Sequence, residues 1–310
     1  MNKTRTLTEG AIMLALFAIL LFISIYVPII SLVSILFLPL PFIIYSRKYA
    51  LKHSLLLFIA AVFTSSFVGT ILSVPFAFLF GLTGIVIGYF LKKSKGVLPV
   101  FIAGSFTFLI NLLLIYIGII TLLDIDLSAA FQEYKDQAIK QAKAMFHAVG
   151  QTPDARLFEE LDATISLLKT LTPSILVFSS FFTVLVILLV QYPILKRLKL
   201  EIPEWAPFRQ LQLPKSLLWY YLFTLIFMLV LDMEEGTYLY NALLNLYFLL
   251  QILLIVQGLS FIYFYGYVKK WPKAIPIIIT ILSPILSLLL RILGIIDLGF
   301  NLRGHLERKS

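Results

Sequence analysis

The positions of the positive charges constrain this chain more than any other feature. Sixteen of its 25 Lys and Arg residues fall in five short clusters: Lys3/Arg5, Arg47/Lys48/Lys52, Lys92/Lys93/Lys95, Lys196/Arg197/Lys199/Arg209/Lys215 and Lys269/Lys270/Lys273. Long apolar runs separate the clusters, and the turns between paired runs carry no Lys or Arg apart from one long insert. Short loops kept on the cytoplasmic side of a membrane retain Lys and Arg, so this spacing gives both crossings and an orientation. With 60% hydrophobic and 13% charged residues, the chain has more apolar surface than a soluble domain of this length can bury. The expected fold is all-α, a polytopic membrane bundle of about eight to nine transmembrane helices with its N-terminus cytoplasmic. The expected location is the bacterial cytoplasmic membrane, with the lipid bilayer as the principal partner.

A crossing needs about 20 apolar residues. Crossings are expected at about 9–27, 29–45, 53–72, 75–91, 98–123, 173–195, 216–231 and 238–267. Lys3 and Arg5 ahead of the first run resemble the start of a signal peptide. The run is long and lacks a convincing small-residue cleavage site, so an uncleaved first helix is expected. Pro39 and Pro41 remove backbone donors near the inner end of the second crossing and predict a kink or break there.

The insert, 124–172, holds five basic and eight acidic residues. Its length exempts it from the charge rule, so it is expected outside as a helical hairpin. Leu127, Phe131, Tyr134, Ala138, Ala142, Met145 and Val149 form one apolar stripe, and Leu157, Leu161, Ile165 and Leu168 a second. Gly150 is the expected stop of the first helix, and Thr152-Pro153-Asp154 the expected start of the second. Three regions follow: a six-helix core at 1–195 that includes the insert, a cytoplasmic linker at 196–215, and C-terminal membrane helices with a basic tail at 216–310. The last apolar run, about 274–296, breaks the pattern. Starting inside, a full crossing would carry Arg303, Arg308 and Lys309 outside, whereas a hairpin broken at Pro284 would keep them inside. A ninth crossing is the preferred expectation, because a lone hairpin needs protein around it to satisfy its backbone.

No cysteine is present, which excludes disulfides, thiolate metal sites and Cys nucleophiles. His53, His147 and His305 lie in three separate regions and form no metal constellation. No Gly-rich phosphate loop or His-Glu-x-x-His appears, so neither an enzyme nor a cofactor is expected. The net charge of +9 follows from the cytoplasmic clusters rather than from a nucleic-acid interface.

Several residues remain as candidate sites. Ala11, Ala15 and Ala18 form a small-residue face on the first helix, open either to another subunit or to ordinary packing. Gly81, Gly84 and Gly88 form a seam on the fourth, read first as helix packing. Polar groups inside crossings are costly, which singles out Thr64, Ser65, Ser66, Asn111, Asn241 and Asn245 as ligand-binding candidates. The bland alternative is that the hydroxyls bond their own backbone and the amides a neighbouring helix. Arg291 and Asp297 are expected as charged residues at the membrane edge, with Arg291 reaching toward the interface.

Three stretches carry a family resemblance: Leu7-Thr-Glu-Gly-Ala-Ile-Met-Leu-Ala-Leu, Phe80-Gly-Leu-Thr-Gly-Ile-Val-Ile-Gly-Tyr-Phe-Leu-Lys-Lys, and Gly294-Ile-Ile-Asp-Leu-Gly-Phe-Asn-Leu-Arg303. They resemble the YybS-like predicted membrane proteins of Gram-positive bacteria, a domain of unknown function, over essentially the whole chain. The first six crossings are in turn similar to the S components of energy-coupling-factor transporters. That similarity implies an outward-opening pocket between six helices, with Asn111 and 64–66 as its polar groups. It also implies a coupling subunit with ATPases, docked on Ala11 and Ala15. The insert and the crossings after the sixth depart from that pattern. The similarity implies a small-molecule binding or transport component; the alternative is a non-transporting membrane scaffold or regulator.

Overall fold

The computed structural model describes residues 3–94, 96–123, 127–148, 155–300 and 302–307. The expected stop at Gly150 and start at Thr152-Pro153-Asp154 therefore lie outside the described residues, as do Lys95, Arg308 and Lys309. Among the described residues every regular element is helical. Seven segments are long and apolar enough to cross a membrane: Thr4–Tyr26, Pro28–Lys48, Leu51–Gly69, Ile71–Lys93, Val97–Thr121, Thr172–Arg197 and Tyr238–Val268. The protein is thus a multi-pass, membrane-embedded helical protein. It divides into two compact units, one of residues 1–140 and 176–205, the other of 141–175 and 206–310. This division differs from the expected core at 1–195, because the second half of the insert belongs with the C-terminal helices.

In the first unit, α1 (Lys3–Tyr26) is followed by α2 (Pro28–Ile35) and α3 (Leu40–Lys48). The chain breaks between α2 and α3 where Pro39 and Pro41 withhold their donors. A freed carbonyl at membrane depth needs a partner from the protein itself. Gln191, fully buried, supplies it by donating to the Leu36 carbonyl at 2.9 Å. The Ser24 and Ser34 hydroxyls, 2.8 Å apart, tie α1 to α2. Then come α4 (Leu51–Gly69), a 3-10 turn (Ile71–Ser73) and α5 (Val74–Phe76). A π-helical stretch (Ala77–Leu82) leads into α6 (Thr83–Lys93), and α7 (Val97–Leu123) follows. Phe17 meets Phe42 edge-on at 5.1 Å, Phe58 meets Phe78 at 5.2 Å, and Phe80 meets Phe108 at 5.8 Å. These rings and Leu21, Ile43, Ile87 and Leu188 fill the space between the helices.

The insert forms α8 (Leu127–Ala148) and α9 (Ala155–Thr170), and α10 (Thr172–Arg197) returns from it. Among the described side chains of α8, Phe131, Lys135, Ile139, Ala142 and Phe146 are half-buried, and Tyr134, Ala138 and Met145 of the expected stripe are exposed. Leu168 of α9 is likewise exposed. Each helix is polar enough that more than one stripe satisfies a three-to-four spacing, and packing selects among them.

In the second unit, the linker carries a 3-10 turn (Phe208–Gln210) before α11 (Ser216–Val230). At 15 residues, α11 is about 22 Å long, short of the roughly 30 Å hydrocarbon core. The longest element is α12 (Tyr238–Val268), and Tyr221 stacks on Tyr247 to join it to α11. The last apolar run splits at residues 282–286 into α13 (Ala274–Ile281) and α14 (Ser287–Phe300), and α15 (Leu302–Glu307) follows.

The last apolar run, the expected ninth crossing, is not one continuous helix. At 8 and 14 residues, α13 and α14 are about 12 Å and 21 Å long, so neither spans alone. Both pack on the C-terminal half of α12. Pro276 packs beside Gly266, 3.4 Å from where its Cβ would lie, and Thr280 meets the Tyr263 hydroxyl at 3.2 Å. Further along, Leu290 and Gly294 cross α12 at Gly258 and Leu254. A Cβ on Gly258 would lie 2.0 Å from the Leu290 carbonyl oxygen, and one on Gly294 would lie 2.1 Å from that of Leu254. No side chain fits in either place, so these two glycines permit the crossing. The run then ends beside the beginning of α11, with Leu298 clustered with Leu217 and Tyr221. It does not accompany α11 toward its far end, so Arg303 stays beside the linker.

Candidate functional site

The second unit buries one group of polar and charged side chains where α12, α14, α15 and the linker meet. Asp297, expected at the membrane edge, has no exposed surface at all. Its Oδ2 accepts from Gln257 Nε2 at 2.6 Å and from Arg303 Nε at 3.0 Å. Arg303 NH2 lies 3.0 Å from the same oxygen and also donates to Ser260 Oγ at 3.1 Å. Arg303 NH1 donates to the Arg209 carbonyl at 2.8 Å. Ser260 Oγ in turn lies within bonding distance of the Phe208 and Leu211 carbonyls, and the Leu213 amide donates to Gln257 Oε1 at 2.9 Å. The Arg209 guanidinium sits 3.9 Å from the Tyr267 ring centre. Four parts of the chain, the linker, α12, α14 and α15, are therefore tied to one guanidinium–carboxylate pair. Among the described residues, Asp297 Oδ1 is buried without a partner.

Two residues six apart on one helix do not face each other. Asp297 and Arg303 meet because α14 ends at Phe300, which turns Arg303 back. Arg291 remains half-buried, one and a half turns away on α14.

The other candidates have structural partners. The Thr64, Ser65 and Ser66 hydroxyls donate to the Ala60, Val62 and Val62 carbonyls of their own helix. Asn111 is buried and donates to the Phe78 carbonyl at 3.1 Å, inside the π-helical stretch where the regular ladder is disturbed. Asn245 accepts from the Ser174 amide at 3.0 Å and the Ser174 hydroxyl, and donates to the Thr170 and Asn241 carbonyls at 2.8 Å each. It thereby clamps the α9–α10 junction onto α12, which explains why 141–175 joins the second unit. Asn241 donates to the Gly236 carbonyl at 3.3 Å.

Gly84 and Gly88 lie against α3, where added Cβ atoms would fall 2.7 Å from the Pro39 oxygen and 2.5 Å from the Ile43 oxygen. Gly81 faces Phe58 and Phe42. Ala11 and Ala15 are exposed, and Ala18 is half-buried. Sequence reasoning passed over Gln191 and Arg303; the signals were a lone amide in an apolar run and a cation just beyond the last buried acid. Among the described residues, no three of His, Asp and Glu gather as a metal site.

The family profile described as "Predicted membrane protein (DUF2232)" matches residues 15–298. The chain belongs to that family. The uncharacterized protein YybS of Bacillus subtilis (strain 168) is 30% identical over 318 residues, covering 99% of this chain and all of that protein. No solved structure matches. The family membership agrees with the resemblance read from the sequence, whereas the similarity to transporter S components is not shown.

Proposed function

We propose that this family member is a non-transporting membrane scaffold or regulatory protein, whose working surface is the linker face of its second unit. The observation that carries this reading is the use already made of the polar groups a pocket would need. Thr64, Ser65, Ser66 and Asn111 bond backbone carbonyls, and paired phenylalanines occupy the space between the helices that carry them. A ligand entering there would have to break those bonds in a dry environment, where an unpaired polar group is costly. The reading includes no catalytic step. By the distribution of Lys and Arg, the N-terminus and the linker are cytoplasmic.

The test is gentle purification from native membranes, with bound proteins and small molecules both identified. A protein partner whose recovery drops on substitution of linker-face residues such as Gln210 or Lys215 supports the scaffold. Stoichiometric recovery of a small molecule with no protein partner overturns it.

A second reading, an S-component-like transport subunit, is favoured by one observation: Ala11 and Ala15 are exposed on α1. A small-residue face left open permits close approach of a partner helix. Recovery of a coupling subunit with its ATPases, lost in Ala11→Leu/Ala15→Leu, would support that reading over the first.

A further inference from the structure

We infer that the first unit carries a binding site for an anionic phospholipid at its linker-side edge, a site independent of the scaffold reading. An open groove of about 380 Å³ runs between α1, α3 and the end of α10. Its wall is Ile12, Met13, Ile44, Leu198 and Leu200, and its charged end is Glu9, Arg47 and Lys48. The two kinds of residue are separated along the helices. Ile12 and Met13 lie about a turn deeper along α1 than Glu9, and Ile44 about a turn deeper along α3 than Arg47 and Lys48. The groove is thus polar where the chain leaves the bilayer and apolar toward the bilayer interior, the same gradient as a lipid headgroup above its acyl chain.

The charges select the headgroup. Lys48 Nζ lies 2.5 Å from Glu9 Oε2, and Arg5 Nε donates to Oε1 at 3.1 Å, so the carboxylate is already neutralised. With Arg47 the group keeps a formal excess of two positive charges. One Arg47 nitrogen donates to the Glu201 carbonyl, which fixes the guanidinium at the groove. Among the described residues, Arg47 Nε is buried without a partner. A guanidinium held at the charged end of the groove suits the oxygens of a phosphodiester, and the acidic lipids of the cytoplasmic leaflet present such groups at this depth.

Thermal unfolding of the full-length protein in mild detergent tests the site. The additives are phosphatidylglycerol, phosphatidylcholine of the same acyl chains, and inorganic phosphate. Phosphatidylglycerol is expected to raise Tm, with no comparable rise from the other two. Arg47→Gln should lose the rise, and Met13→Trp should lose it too by filling the apolar wall at unchanged charge. Lys92→Gln/Lys93→Gln, which removes two exposed charges elsewhere on the same unit, should keep it. Equal shifts from both lipids overturn the inference, as does a shift from phosphate alone. A phosphatidylglycerol shift lost in the Lys92/Lys93 variant and kept in Met13→Trp also overturns it. If Arg47→Gln does not fold, Met13→Trp and native mass spectrometry of retained lipid decide the matter.

Discussion

Among the described residues Arg303 is the one cation bonded to Asp297, and replacing it by Met keeps a side chain of similar length. Asp297 then remains with no solvent exposure and Gln257 as its one remaining donor. Breaking a buried ion pair by deleting one partner costs about 3–5 kcal/mol, because the other charge stays desolvated. The loss also strips a donor from the Arg209 carbonyl and from Ser260 Oγ. An effect of about 4 kcal/mol corresponds to a shift of nearly three powers of ten in the unfolding equilibrium. Removing both charges, as in Asp297→Leu/Arg303→Met, eliminates the stranded carboxylate, so the double variant should be more stable than Arg303→Met. A coupling energy of about 2 kcal/mol or more is expected from the cycle. Trp219 and Trp271 lie in the second unit and Trp205 in the first. In a Trp205→Phe background, fluorescence during denaturing-detergent titration therefore reports the second unit. Additive single effects, or a cost below about 1 kcal/mol for Arg303→Met, would refute the claim that this pair is desolvated and mutually dependent.

Topology offers a direct check, since the chain has no cysteine to remove. Single cysteines at Glu307 and Lys199 should react with an impermeant thiol reagent from the same side, and one at Glu235 from the opposite side; Glu307 labelling with Glu235 would restore a ninth crossing. Gly88→Leu should destabilise the first unit by about 2 kcal/mol or more in a Trp219→Phe/Trp271→Phe background, where Trp205 reports that unit, because even its Cβ meets the Ile43 carbonyl oxygen at 2.5 Å. Gly118→Ala, with nothing within 4 Å, should be neutral or stabilising by up to about 1 kcal/mol. Asn245→Leu should raise proteolysis between α9 and α10, since both sides of that junction depend on its amide; unchanged cleavage would show that the clamp is dispensable.

Seven of the expected crossings were legible because apolar run length acts on the whole chain, and the break at Pro39 and Pro41 followed from missing donors. The glycine seam at 84 and 88 could be read as close packing, although α3 as the facing helix could not. The polar cluster was obscured for a specific reason. Arg303 stood out in the sequence only as a charge on the wrong side, and Asp297 only as a charged residue at the membrane edge. Both anomalies have one cause, a helix end at Phe300, and no periodicity argument places a helix end to within a residue. Asn111 looked like a pocket residue because its actual partner is a backbone carbonyl exposed by a π-helical stretch, which leaves no mark in hydrophobic pattern.

The buried pair also imposes an order in time. During synthesis the linker, α11, α12 and Asp297 all leave the ribosome before Arg303. Until that residue emerges, α14 carries an acid whose counter-charge does not yet exist, and an uncompensated carboxylate is disfavoured at membrane depth. The packing of α14 onto α12 thus has to wait for the residues that follow it. The second unit is therefore closed from its C-terminal end.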